Sequence, residues 1–128
     1  MARMLVRGLV GLMGLLGLLL ALRFWTSPAV IGGAMDLTAG GAAGLGTLRA
    51  DMAGFFGGVG LLSLAAALRD DGRWLTPVLL LVGLALSGRV INLVLTGGGA
   101  VLYPPMIIEA VLIAISGLGW RVLSERAK

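Results

Sequence analysis

Apolar residues fill four long stretches of this chain, at 8–25, 47–68, 75–95 and 104–123, and polar or helix-breaking residues collect between them. Each stretch approaches the roughly 20 mostly apolar residues that a helix needs to cross the hydrocarbon core of a bilayer. The breaks are Thr26-Ser27-Pro28 with a glycine-rich run to Gly46, the turn Arg69-Asp70-Asp71-Gly72-Arg73, and Thr96-Gly97-Gly98-Gly99. All contain residues that end or turn a helix. Pro104 and Pro105 suit the first turn of the fourth helix, where a missing N–H costs little. The pattern predicts an all-α protein, an integral membrane antiparallel four-helix bundle that forms one transmembrane domain over 1–128, with an outer loop at 26–46. Within that loop, 29–35 is apolar enough to lie on the membrane surface or to re-enter it.

Composition agrees with this reading. Of 128 residues, 59% are apolar and 12% charged, against roughly 45–50% and 25% in soluble domains, and the mean hydropathy is +1.05. So short a chain cannot hide that much apolar surface from water, and lipid must be its main solvent. Cysteine and histidine are absent, which removes disulfides, thiolate nucleophiles, imidazole bases and the usual zinc sites. No metal and no cofactor is expected. The net charge of +4 comes from basic residues beside apolar runs, with no basic stripe or aromatic platform, so nucleic acid is not an expected partner. The bias toward Leu, Ala, Gly and Arg fits a bacterium of high genomic GC content.

Charge also predicts orientation. Arg3, Arg7, Arg69, Arg73, Arg121, Arg126 and Lys128 fall on the side that holds both termini, whereas the opposite side has only Arg23, Arg49 and Arg89. By the positive-inside rule both termini are cytoplasmic, in a bacterial inner membrane. Trp25, Trp74, Tyr103 and Trp120 stand near span ends, where an interfacial aromatic belt belongs. The first stretch also imitates a secretory signal peptide, and cleavage after Ala29 would leave three spans. Arg23-Phe24-Trp25 reads instead as an interfacial anchor, which favours four.

The informative polar residues are those inside the spans, because an ionisable group at membrane depth costs roughly 2.5–3.5 kcal/mol on insertion scales and usually faces a partner. Counting at 1.5 Å per residue puts Arg89 and Glu109 both about 7–9 Å inside the outer helix ends. Arg49 and Asp51 lie in the same outer leaflet, nearer the surface, so two cations and two anions share one layer. At about 100° per residue Arg49 and Asp51 point apart. Asp51 shares a stripe with Gly54 and Gly58, a small-residue surface suited to close helix approach, and is the expected interior residue. Arg49 has the stem length to snorkel to the interface.

Gly88 keeps the Arg89 side of the third span narrow, and Ala110, Ala114 and Gly117 form a further small face on the fourth. These faces are expected to pack helices, or copies of the chain in a homo-oligomer. Arg89 is expected to pair with Glu109, Asp51 or both, with Asn92 completing the hydrogen bonds. Such a cluster either orients helices only or also binds a polar group.

No catalytic constellation assembles. The glycine runs at 57–60 and 97–99 lack the strand–turn–helix setting of phosphate loops, and Ser63, Ser87 and Ser116 have no histidine to act as base.

Leu48-Arg49-Ala50-Asp51, followed by Gly54-Phe55-Phe56-Gly57-Gly58, then Gly88-Arg89 and finally Glu109, resembles the bacterial membrane family called domain of unknown function 4345. The resemblance runs from about Arg49 to Leu123 and more loosely over the first span. It implies a four-span protein without an established activity, so it carries over no catalytic residue. The glycine-rich run from Gly32 to Gly46 departs from that family. Small multidrug-resistance pumps are similar in length and span number, but they keep an essential glutamate in the first span, where this chain has no acid.

Three functions follow, in order of preference. The first is a membrane-embedded binding or accessory module whose partners are the bilayer, a lipid or small amphiphilic ligand, and further copies of itself. The second is a small proton- or ion-coupled transporter or channel subunit. The third is a lipid-modifying enzyme.

Overall fold

A computed structural model describes residues 1–124; Arg126 and Lys128, counted above on the terminal side, lie outside the described residues. Six α-helices follow in order: α1 (Ala2–Thr26), α2 (Pro28–Gly33), α3 (Gly41–Thr47), α4 (Ala53–Arg69), α5 (Thr76–Thr96) and α6 (Tyr103–Ser124). A π-helical turn (Leu48–Met52) joins α3 to α4, and 3₁₀ turns precede α5 (Gly72–Leu75) and α6 (Ala100–Leu102). No strand occurs among the described residues. Four helical runs are long and apolar enough to cross a membrane: Ala2–Thr26, Gly41–Arg69, Gly72–Thr96 and Ala100–Ser124.

The expected stretches form the cores of these runs, each of which starts earlier than expected: at Ala2 rather than 8, at Gly41 rather than 47, and three or four residues early in the last two. Much of the expected outer loop is therefore helical. The run Gly41–Arg69 has 29 residues and is about 43 Å long, more than the roughly 30 Å of hydrocarbon. None of α3 is buried, as suits an end that projects past the bundle. The apolar part of the loop folds as α2, with Pro28 and Gly32 buried. A methyl on Gly32 would come within 2.9 Å of Leu48 Cδ1, so α2 is folded back on the start of the π turn.

Turn chemistry ends the helices where the sequence predicts. Asp70 closes α4 in the left-handed region (φ 54°), and its N–H donates to Ala66 O. Gly97 closes α5 at φ 63°, donating to Leu93 O, a conformation that costs glycine little. The carboxylate of Asp71 caps the following 3₁₀ turn by accepting from Arg73 N at 3.0 Å.

The packing is that of a protein immersed in lipid. On α1, Val6, Val10, Met13, Gly14, Gly17, Ala21 and Phe24 form the buried stripe, while Leu9, Leu12, Leu15, Leu16, Leu19 and Leu22 are exposed. Small residues face inward and leucines outward, because burying leucine gains little when the solvent is itself apolar. The closest pairing is α1 with α4. A Cβ on Gly14 would lie 2.8 Å from Leu64 N, and one on Gly60 would lie 2.7 Å from Leu18 N, so backbone meets backbone.

The core has two parts. At the end holding the N-terminus, Val6, Val10, Val59, Ala66, Leu75 and Val78 belong to one buried cluster drawn from α1, α4, the 3₁₀ turn before α5 and α5 itself, against which Leu112, Ile115 and Val122 of α6 pack. At the other end, Ala21, Phe24, Leu48 and Ala53 make a separate cluster, with Phe24 and Phe56 stacked at 5.7 Å between centroids. That second cluster contains nothing from α5 or α6. The two core clusters leave the halves of α5 and α6 remote from the N-terminus with few buried residues: α5 buries only Val78 and Val82, and the sole buried residue of α6 before Ser116 is Glu109.

The end with the N-terminus is clasped by arginine. Arg3 Nε donates to both Asp70 carboxylate oxygens at 3.2 Å, and its Nη groups donate to Val122 O at 2.6 Å and Leu123 O at 3.3 Å. Arg7 donates to Ala67 O. The start of α1 therefore meets the ends of α4 and α6, which fixes α1 antiparallel to both.

Candidate functional site

Arg89 sits in the C-terminal half of α5 and Glu109 two turns into α6. At 1.5 Å per residue, Arg89 stands about 25 Å from Gly72, and Glu109 about 22 Å from Ser124. The equal depth expected from counting places them side by side: Arg89 Nε donates to Glu109 Oε1 at 2.7 Å. The two partners are not equivalent. The Arg89 side chain is 46% exposed and that of Glu109 12%, and Glu109 Oε2 is buried with no hydrogen-bond partner among the described residues.

This pair lines a cavity of about 250 Å³ bounded by Ala85, Gly88, Arg89, Asn92, Leu102 and Glu109. All six come from α5, α6 and the 3₁₀ turn between them. Gly88 and Asn92 are exposed, so the cavity opens on the outside of the bundle. The Asn92 carbonyl accepts from Thr96 Oγ1 at 2.8 Å, while its side-chain amide makes no hydrogen bond among the described residues and does not join the ion pair as expected.

The other half of the expected cluster is elsewhere. Asp51 is exposed and makes no ion pair among the described residues, contrary to its expected interior place. Asp51, in the π turn, stays on one side with Gly54 and Gly58, and that whole side faces away from the other helices. The inward stripe of α4 is Ala53, Gly57 and Gly60 instead of Asp51, Gly54 and Gly58. Arg49 is exposed and donates from Nε to Trp25 O at 3.2 Å, satisfying a carbonyl at the end of α1 with a cation where the helix dipole favours one.

The expected packing glycines are likewise not at helix contacts within this chain. A methyl on Gly54, Gly58, Gly88 or Gly117 would meet no described atom within 4 Å, and Ala110 and Ala114 are exposed. Close contacts between helices belong instead to Gly14, Gly17 and Gly60, and to Gly72 beside α6 and Gly119 on α6; the spacings Gly14-x-x-Gly17 and Gly57-x-x-Gly60 are visible in the sequence. Leu102 is a lining residue that nothing in the sequence marked. Ser116, on the buried stripe below Glu109, donates to Met13 Sδ at 3.7 Å and lies in the core between α1 and α6.

Chemically, the site offers one buried carboxylate oxygen as acceptor, unused N–H groups of Arg89 and the Asn92 amide as donors. No group of three or more metal-ligating side chains occurs among the described residues. In comparisons of the chain with protein-family models, with curated proteins and with solved structures, no match was found.

Proposed function

We propose that this is a four-span inner-membrane binding or accessory module that holds the polar end of an amphiphile between α5 and α6. The observation that carries the reading is the Glu109 side chain, which lines a cavity that opens sideways while its Oε2 is buried without a donor. A purely structural ion pair would gain by satisfying that oxygen, because an unpaired buried acceptor costs about 1–3 kcal/mol. A donor arriving from a ligand removes this cost. The cluster of Arg3, Arg7, Arg69, Arg73 and Arg121 near one end supports cytoplasmic termini, which puts the cavity in the outer leaflet. The resemblance to domain of unknown function 4345 belongs to the same proposal.

Proton or ion coupling ranks second and lipid modification third. Coupling needs a relay, and Asp51, the other carboxylate expected inside the spans, makes no hydrogen bond or ion pair among the described residues; an enzyme needs a base and a nucleophile or metal. Native mass spectrometry of the protein released from mild detergent tests the first reading: a retained small molecule lost in Arg89→Ala is expected. Bare protein, together with a proton flux in proteoliposomes that disappears in Glu109→Gln, would replace it with the second.

A further inference from the structure

We infer that the occupant of the cavity between α5 and α6 is an uncharged, hydroxyl-bearing amphiphile, its O–H donating to the Glu109 carboxylate and a neighbouring oxygen accepting from Arg89 or Asn92. The inference rests on the binding reading above and names the ligand class. Its first support is charge. Arg89 and Glu109 are ion-paired at 2.7 Å and cancel, so a phosphate or ammonium headgroup would bring an uncompensated charge to a depth where charge is costly. A neutral headgroup brings none.

The second support is the hydrogen-bond inventory. Ionised carboxylate oxygens only accept, so the Glu109 carboxylate on the cavity wall, short of a donor at Oε2, selects a donor. Arg89 commits only Nε to Glu109 and offers its remaining N–H groups only to acceptors. A ligand that satisfies both sides carries a hydroxyl beside an ester, ether or carbonyl oxygen. The third support is size: about 250 Å³ lies just under the roughly 300–1,000 Å³ of whole small-molecule sites. It fits a glycerol-sized headgroup or one ring, with the tail left in the bilayer.

Two sources supply this chemistry, acylglycerols and alkyl hydroquinones, and the test separates them. The full chain in mild detergent is titrated by native mass spectrometry with dioctanoylglycerol, decylhydroquinone, dioctanoyl phosphatidylglycerol (charged, with hydroxyls) and trioctanoylglycerol (neutral, without). At least one of the first two is expected to bind about tenfold or more tightly than either control, and whichever does identifies the source. Binding should be lost in Gly88→Leu, where added carbon meets no described atom within 4 Å of the Cβ position, and in the equally exposed Asn92→Leu; circular dichroism verifies that both fold. Phosphatidylglycerol or trioctanoylglycerol binding as tightly as the hydroxyl probes would overturn this inference and leave the binding reading standing. Binding indifferent to both substitutions, or no binding by any probe, would overturn both.

Discussion

Gly17 of α1 and Gly60 of α4 meet backbone to backbone: a Cβ on Gly17 would lie 2.9 Å from Gly60 Cα and 2.8 Å from Phe56 O. No side chain stands between the helices at this level, so neither glycine can gain a methyl unless the pair separates. Gly60→Ala is expected to destabilise the bundle by about 1–3 kcal/mol, the usual cost of overpacking. Gly58→Ala, whose methyl meets nothing, should be neutral or slightly stabilising through helix propensity. Unfolding in mixed micelles measures both, and equal behaviour of the two variants would contradict this interface.

The ion pair predicts an asymmetric mutational response. Arg89→Ala strands a buried carboxylate, whereas Glu109→Gln leaves an arginine that is already half exposed and has the length to reach the interface. The first should cost about 2 kcal/mol more than the second. Exchanging the two residues, Arg89→Glu with Glu109→Arg, should recover part of the loss, and a double-mutant cycle measures how much. Absence of coupling would contradict the pairing.

Arg3 ties three helices through Asp70, Val122 O and Leu123 O. Hydrogen bonds to charged groups contribute about 1.5–3 kcal/mol each at best, and partial exposure of both side chains reduces this. Arg3→Ala should therefore lower stability by about 1–2 kcal/mol. Arg3→Lys should recover less than half, because an ammonium cannot span a carboxylate and two carbonyls as a planar fork does. Hydrogen exchange should speed up first at the ends of α4 and α6.

Acid should loosen the turn between α4 and α5. The side-chain hydrogen bond from Arg73 holds the Asp71 carboxyl below its ordinary range, helped by the Arg73 N–H. A lowered folded value means that the turn's contribution is fully present above the ordinary carboxylate pKa and is lost as pH falls through the folded value. Protection of the Arg73 amide should therefore hold at neutral pH and fall below about pH 4. In Asp71→Ala that amide should be weakly protected at every pH.

The helices, their breaks and the matched depth of Arg89 and Glu109 could all be read along the chain. Each depends on properties local to a segment: apolar length against bilayer thickness, turn residues such as Asp70 and Gly97, and a fixed rise per residue. Counting inward from the ends of antiparallel neighbours was enough to bring Arg89 level with Glu109.

Which way residues face was another matter. Small residues on the stripe of Asp51, Gly54 and Gly58 suggested an inward face, but α4 turns Ala53, Gly57 and Gly60 inward instead. Hydropathy could not distinguish the leucine face of α1 from its glycine face, since leucine is at home in lipid and only the fit of Gly14 and Gly17 against Gly60 decides which side turns inward. The clasp of Arg3 on Asp70 and α6, and the cavity beside Glu109, arise between residues 20 to 120 positions apart. The sequence by itself determined that this protein has four membrane-spanning stretches and where the chain breaks between them, because transfer to hydrocarbon is a sum over neighbouring residues. The tertiary structure alone decided that Glu109 and not Asp51 is the buried acid, because close packing is a property of surfaces brought together from distant parts of the chain.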